Sequence, residues 1–112
     1  MKEYELYFPL RRNDGSRVEE EKLAACKRLL VAEFGGLTLF PQENEGLWRV
    51  GRYTYRDQIV IVRVLAEDGQ KARSFFARFR KQLESDLDQA EILIVERDVR
   101  TLGELENQPG LG

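Results

Sequence analysis

The chain has 112 residues, of which 42% are hydrophobic and 34% charged, and its formal net charge is −2. This length and composition suit one globular domain, without the basic excess that favours nucleic-acid binding. The absence of histidine and the single cysteine, Cys26, exclude a histidine catalyst, an intramolecular disulfide and a Cys/His zinc site. We also expect no signal peptide and no membrane span, and therefore a cytoplasmic location.

Alternating apolar side chains from Glu3 to Leu10 predict a first strand with one buried face. A polar loop containing Asn-Asp-Gly follows. Ser16 and Glu19 then have the spacing of a capping box, which predicts the start of a helix. The helix should end near Phe34, where two glycines follow.

The segment from Leu37 to Ala66 alternates in a way that predicts an antiparallel meander. Gln42–Gly46 is polar and acidic and is predicted to be a turn. The run from Gln58 to Ala66 is the longest β-branched stretch of the chain, which favours a central strand. Its valines should lie beneath the helices, and its isoleucines with Arg63 should lie on the opposite face.

A second apolar stripe at helical spacing predicts a helix from Asp68-Gly69 to about Leu87, and Ala90–Val95 is predicted to be the closing strand. The order of elements predicts an α+β, ferredoxin-like βαββαβ sandwich, an antiparallel sheet with two helices on one face. We expect one domain over residues 1–97 and a partly disordered tail over residues 98–112.

Two helices cover only one face of a sheet, so the other face is a candidate binding surface. Glu5, Tyr7 and Arg63 are predicted to lie there. A covered Arg63 would need an acidic partner, and Glu5 is the expected one. A structural ion pair is the favoured interpretation, and a binding site made by the three residues is the alternative.

Trp48 and Tyr53 form a second candidate site. Trp48 lies among glycines and arginines and could stack on a ligand or partner, although an aromatic lid on the core is favoured. Aromatic and basic residues also interleave here, as in binding of single-stranded nucleic acid. Nearby acidic residues, Glu43 and Glu45 among them, dilute the charge, so we do not expect that activity.

Catalytic patterns are sparse. No histidine is present to activate a serine, and Cys26 falls on an apolar helix face typical of a buried hydrophobe. We therefore predict no catalytic residue, no metal and no cofactor.

Several short motifs carry a family resemblance. Glu5–Phe8, Phe34–Thr38 with its Gly-Gly-Leu-Thr turn, and Gly46-Leu47-Trp48 resemble a family of small bacterial domains of unknown function. The similarity covers about residues 4–97. It implies a ferredoxin-like domain and no activity, and it draws attention to Gly46 and Trp48.

Two functional hypotheses follow. The favoured one is a non-catalytic domain that forms a homodimer through its open sheet face, as a protein-interaction or regulatory module. The alternative is a small-molecule-binding domain or enzyme of the dimeric α/β-barrel type, with a pocket between the sheet face and the Trp48 segment. Neither involves nucleic acid or a membrane.

Overall fold

The structure is a computed structural model that describes residues 1–67 and 69–102. Within those ranges, four strands and two helices follow one another, with bounds β1 Lys2–Pro9, α1 Glu20–Phe34, β2 Thr38–Val50, β3 Tyr53–Ala66, α2 Gly69–Asp86 and β4 Ile94–Asp98. The strands form an antiparallel sheet in the spatial order β2-β3-β1-β4.

The two inner strands supply the buried face of the sheet. Tyr4 pairs with Val64, and Leu6 pairs with Val62. Leu6 and Val62 have no solvent-exposed surface. Because side chains alternate between the faces of a strand, the valines of β3 share one face, and the predicted burial of that face is confirmed.

Helices α1 and α2 pack on this valine face through aromatic side chains. The ring of Phe76 in α2 stacks on Tyr4 of β1 at 4.5 Å and on Phe34 of α1 at 5.3 Å, measured between ring centroids. Such aromatic pairs contribute about 1 kcal/mol beyond their buried area. Phe76 therefore joins both helices to the sheet.

The predicted capping box at the start of α1 is wrong. Helix α1 begins at Glu20, and the side chain of Glu19 makes no capping hydrogen bond. Glu19 instead accepts a hydrogen bond from Arg12 at 2.7 Å, and the Ser16 amide donates to Asp14 at 2.8 Å. These residues stabilise the preceding loop, which competes with the helix for the same side chains.

The predicted turn at Gln42–Gly46 is also wrong. Strand β2 continues through it, with a register shift between Phe40 and Asn44 that marks a β-bulge. Pro41 lies inside the bulge, where it is not required to donate a ladder hydrogen bond. The chain reverses later, at Gly51, whose φ of 62° is unstrained for glycine.

This later turn makes a long hairpin that extends beyond the rest of the sheet. The pairing of β1 with β3 ends at Pro9 and Ile59, whereas the pairing of β2 with β3 continues to Val50 and Tyr53. We call residues 44–58 the hairpin arm. Residues 53–57 of β3 pair with β2 on one side only.

The arm requires a correction of the fold class predicted from sequence. The sequence predicts a ferredoxin-like βαββαβ sandwich, an antiparallel sheet with two helices on one face. Here β2 and β3 have 13 and 14 residues and β4 has 5, so the sheet is uneven and β2 is bent by a bulge. The fold is an α+β sheet with a projecting hairpin.

The closing strand lies later in the sequence than predicted. It spans Ile94–Asp98 instead of Ala90–Val95, and the amide of Val99 still donates to the carbonyl of Met1 at 3.1 Å. The predicted tail begins at residue 98, so its first residue belongs to β4. Residues 103–112 of that tail lie outside the described residues.

A polar cluster fastens α2 to the outer strand. Arg73 of α2 donates to both carboxylate oxygens of Glu96, at 2.6 and 3.1 Å, and the hydroxyl of Tyr4 donates to the same carboxylate at 2.7 Å. These hydrogen bonds, from Arg73 first and Tyr4 second, lower the pKa of Glu96 to about 2 from an ordinary 4.5.

We expect Glu96 to contribute to acid unfolding. Because its folded-state pKa is depressed, its stabilisation is fully present above pH ~4.5 and is lost as the pH falls toward ~2. Glu96→Gln should therefore flatten the decline in stability across that window, as measured by urea unfolding at several pH values. Glu33→Gln, on the exposed side of α1, is the control; an identical decline in both variants would contradict the expectation.

The buried face should be far more sensitive to truncation than the open face. Leu6→Ala removes a side chain with no exposure and should lower the free energy of unfolding by about 2–5 kcal/mol. Leu65→Ala, on the opposite face of the neighbouring strand and 44% exposed, should cost less than about 1 kcal/mol. Equal losses in denaturant titrations would show that the faces are misassigned.

Candidate functional site

The open face of the sheet carries a ladder of opposite charges across β3, β1 and β4. Arg63 lies 3.5 Å from Glu3, while Arg97 lies 3.4 Å from Glu3 and forms an ion pair with Glu5. The predicted Arg63–Glu5 ion pair is thus corrected, although the two residues are backbone partners. From the sequence, Arg97 falls in no predicted strand. In the structure it lies in β4 and forms the ion pair with Glu5 that was predicted for Arg63.

The contacts of Arg63 are those of a residue that stabilises the sheet. Its guanidinium lies 5.1 Å from the ring centroid of Phe40, a cation–π contact, in addition to its ion pair with Glu3. Both contacts are made within the sheet face. The favoured structural interpretation of Arg63 therefore agrees with its contacts, with Glu3 in place of Glu5.

Trp48 lies in a different environment, at a cavity between the hairpin arm and the body of the domain. The cavity has a volume of about 470 Å³. Its walls come from the arm, the loop after β1 and the segment between α2 and β4, and are made by Asn13, Trp48, Asp57, Gln89, Ala90, Glu91 and Leu93. The cavity exists because the arm continues where β1 has left the sheet.

Local backbone structure places these walls. The loop after β1 folds on itself, since the Val18 amide donates to the Leu10 carbonyl at 2.8 Å and Arg12 donates to Ser16 at the same distance. The side-chain amide of Gln89 donates to the Arg11 carbonyl at 2.7 Å, which joins this loop to the end of α2. Two of the three walls are thus connected by hydrogen bonds.

Gly46 gives the indole of Trp48 its room. A Cβ atom at position 46 would lie 3.4 Å from the indole Nε1, and 4.0 Å from Cβ of Asp57. The absence of a side chain at position 46 leaves this space beside the indole open. The Gly-x-Trp pattern therefore has a packing reason.

The cavity combines an aromatic surface with polar groups of two kinds. Trp48 is 43% exposed and offers a ring face for stacking. Asp57 and Glu91 supply carboxylates, which accept hydrogen bonds from hydroxyl groups, and Asn13 and Gln89 supply amides that both donate and accept. This set can bind a planar heterocycle that carries hydroxyl groups.

The residues predicted as sites do not come together. Trp48 pairs with Tyr55, whereas Arg63 is eight residues further along β3 (55 to 63), a separation of about 26 Å at strand rise. Tyr7 pairs with Ile61, near Arg63, and neither Tyr7 nor Arg63 lines the Trp48 cavity. Tyr53 is 65% exposed at the end of the arm.

Sequence reasoning missed most of the cavity. Asn13, Asp57, Gln89 and Glu91 belong to three separate segments, and each looks like an ordinary turn or surface residue. The available signal was Gly46-x-Trp48, which indicated a special position without naming its partners. Their proximity depends on the length of the hairpin arm.

Other candidate chemistry is accounted for by packing. Cys26 is buried in α1, and burial raises the pKa of its thiol to about 12, as expected for a small buried hydrophobe. Among residues 1–67 and 69–102, no group of three or more Cys, Asp or Glu side chains is placed to hold a metal ion. Of the two helices described, neither combines the length and hydropathy of a bilayer-spanning segment.

Comparison with known proteins gives a structural relative. A solved phage SAM lyase in complex with S-methyl-5'-thioadenosine matches 87% of this chain and 80% of its own, with a TM-score of 0.66 and 10% sequence identity. No family model and no curated protein matches the sequence. At this identity the likeness establishes the fold, and the resemblance to small bacterial domains of unknown function stays a prediction.

Two predictions are corrected by this match. The fold is that of the SAM lyase, which replaces the ferredoxin-like classification. The matched protein is an enzyme with a small molecule bound, which contradicts the favoured hypothesis of a non-catalytic module. The expected self-association stays a prediction. The alternative, a small-molecule-binding domain or enzyme with a pocket at the Trp48 segment, agrees better with the match and with the cavity.

Gly46→Val tests the packing of the cavity. The added side chain should displace the indole, so acrylamide should quench Trp48 fluorescence more strongly than in the unmodified protein. Trp48 is the single tryptophan, and the signal is therefore specific to this position. Gly36→Val, where a Cβ meets nothing within 4 Å, is the control; equal quenching in both variants would disprove the contact.

Proposed function

We propose that this protein is an enzyme that binds an adenosine-type nucleoside in the Trp48 cavity, with SAM (S-adenosylmethionine) as the substrate to test. The observation that carries the proposal is the cavity itself, an aromatic face beside two carboxylates and two amides, on a fold shared with a SAM lyase. Fold likeness alone does not assign an activity, so the proposal depends on these side chains.

Each wall of the cavity corresponds to one part of a nucleoside. The exposed ring of Trp48 offers a stacking surface for the base, a contact worth about 1–3 kcal/mol. Asp57, which pairs with Gly46 and lines the same cavity as Trp48, is the acceptor for the ribose hydroxyls. Its carboxylate and that of Glu91 also favour a cationic sulfonium over a neutral ligand.

The reaction class follows from the chemistry of SAM and S-methyl-5'-thioadenosine. Conversion of the first into the second breaks the bond between the sulfonium sulfur and the amino-acid chain. The bonding electron pair stays on sulfur, which becomes a neutral thioether, and the released carbon forms a new bond to an oxygen of the substrate's own carboxylate. The second product is then a protonated amino lactone, so atoms and charge balance without a co-reactant. Because charge is lost at sulfur, the carboxylates act in binding, and a less polar wall such as Leu93 suits the transition state.

Binding can be measured directly. S-methyl-5'-thioadenosine and SAM should each change Trp48 fluorescence on titration. Trp48→Ala should weaken both ligands by roughly fivefold to 150-fold in calorimetry, the range that corresponds to one stacked base. Leu47→Ala, which changes a 63% exposed neighbour on the same strand, should bind as the unmodified protein does.

Turnover should accompany binding. Chromatography should show S-methyl-5'-thioadenosine accumulating from SAM faster with the protein than in buffer, and Trp48→Ala should reduce the rate. If both nucleosides bind without any accelerated turnover, the protein is a binding domain and not an enzyme. If neither binds at millimolar concentration, the proposal fails entirely.

Location and assembly stay predictions. The expected cytoplasmic location and the expected homodimer are consistent with this proposal and can be checked by cell fractionation and analytical ultracentrifugation.

A further inference from the structure

A second cavity adjoins the Trp48 cavity and has the opposite charge. It has a volume of about 380 Å³, and three arginines, Arg11, Arg12 and Arg56, contribute to its walls. The two cavities share three wall residues, which are Asn13, Asp57 and Gln89. They are therefore two ends of one cleft, which passes along the single-sided part of β3.

The three arginines differ in how their charges are neutralised. Arg12 lies 2.7 Å from the carboxylate of Glu19, and Arg56 lies 3.1 Å from that of Glu45. Arg11 donates to two neutral acceptors, the side-chain oxygen of Gln58 at 2.8 Å and the carbonyl of Gly15 at 3.1 Å. Among the described residues, Arg11 is thus the cation of this cavity that has no carboxylate partner.

Arg11 is also held in place. Its Nε and one Nη1 hydrogen are used by Gln58 and Gly15, and its carbonyl accepts from Gln89 at 2.7 Å. A guanidinium has five N–H donors, so three of them have no acceptor within the described part of the chain and can bind a ligand. A fixed guanidinium with free donors is suited to bind a carboxylate, because less side-chain entropy is lost on binding.

We propose that Arg11 binds the carboxylate of an amino-acid tail attached to the nucleoside, so that the cleft selects SAM over nucleosides without such a tail. This inference rests on the proposed function. The aromatic and acidic end would hold base, ribose and sulfonium, and the basic end would hold the terminal carboxylate. Gln58 acts through Arg11 and is a positioning residue.

The test compares one ligand that has the tail with one that lacks it. Arg11→Gln should weaken SAM by roughly tenfold to hundredfold, the range of a charge-assisted hydrogen bond, and leave S-methyl-5'-thioadenosine unchanged. Arg11→Lys should recover part of the SAM affinity. Gln58→Ala, which leaves the charge but frees the guanidinium, should weaken SAM alone and by less. Calorimetry gives each Kd, and circular dichroism confirms folding.

Arg28→Gln is the matched control, since Arg28 is an exposed arginine paired with Glu21 on α1 at 2.8 Å. It should change neither affinity. If a folded Arg11→Gln variant loses affinity for both ligands, or for neither of them, the carboxylate assignment is overturned while the proposed function stands. If adenosine 5'-monophosphate binds more tightly than SAM and loses that affinity in Arg11→Gln, Arg11 binds a phosphate, and the carboxylate assignment is overturned. Failure of both nucleosides to bind the unmodified protein would instead remove the proposed function, and this inference with it.

Discussion

The end of β1 is the constraint on which the rest of this structure depends. The pairing of β1 with β3 stops at Pro9, and one more backbone hydrogen bond follows, from the Leu10 amide to the Gln58 carbonyl at 2.9 Å. The chain then forms a loop that is closed by its own backbone hydrogen bonds. Strand β3 has begun earlier, with β2 beside it. The sheet is therefore wide in one half and only a hairpin in the other, and the space left by β1 becomes a cleft.

The charged open face of the sheet has a structural role, and the cleft carries the groups that are available for recognition. On the open face, Arg63 and Arg97 are paired with Glu3 and Glu5, so its charges are satisfied within the sheet. Partly exposed pairs of this kind add little stability each, but they leave few groups free for a ligand. In the cleft, by contrast, Trp48 is 43% exposed and, among residues 1–67 and 69–102, Arg11 donates to neutral acceptors only. Recognition chemistry therefore concentrates at the sheet margin, where backbone pairing is incomplete.

Parts of this arrangement could be read from individual residues. The alternation in β1 and the valines of β3 identified the buried face, since a strand has a period of two whatever surrounds it. Gly35 ended α1 as predicted, with a φ of 84° and its amide bonded to Val31 at 2.8 Å. The Glu19 side chain and the Gln42–Gly46 segment were misassigned because local patterns of capping and polarity do not show which longer-range partner competes for them. The candidate site was predicted only at Trp48; Glu5, Tyr7 and Arg63 lie elsewhere on the sheet.

By itself, the sequence determined strand β1, the approximate extent of the two helices and the buried valine face, because each depends on neighbours a few residues away. Only the tertiary structure decided the register of β2 across its bulge, the length of the hairpin arm and the approach of Asn13, Asp57 and Gln89. Those features depend on where one strand stops pairing while another continues. The point at which each pairing ends is decided by contacts between distant segments, and a single sequence does not show which distant segments are in contact.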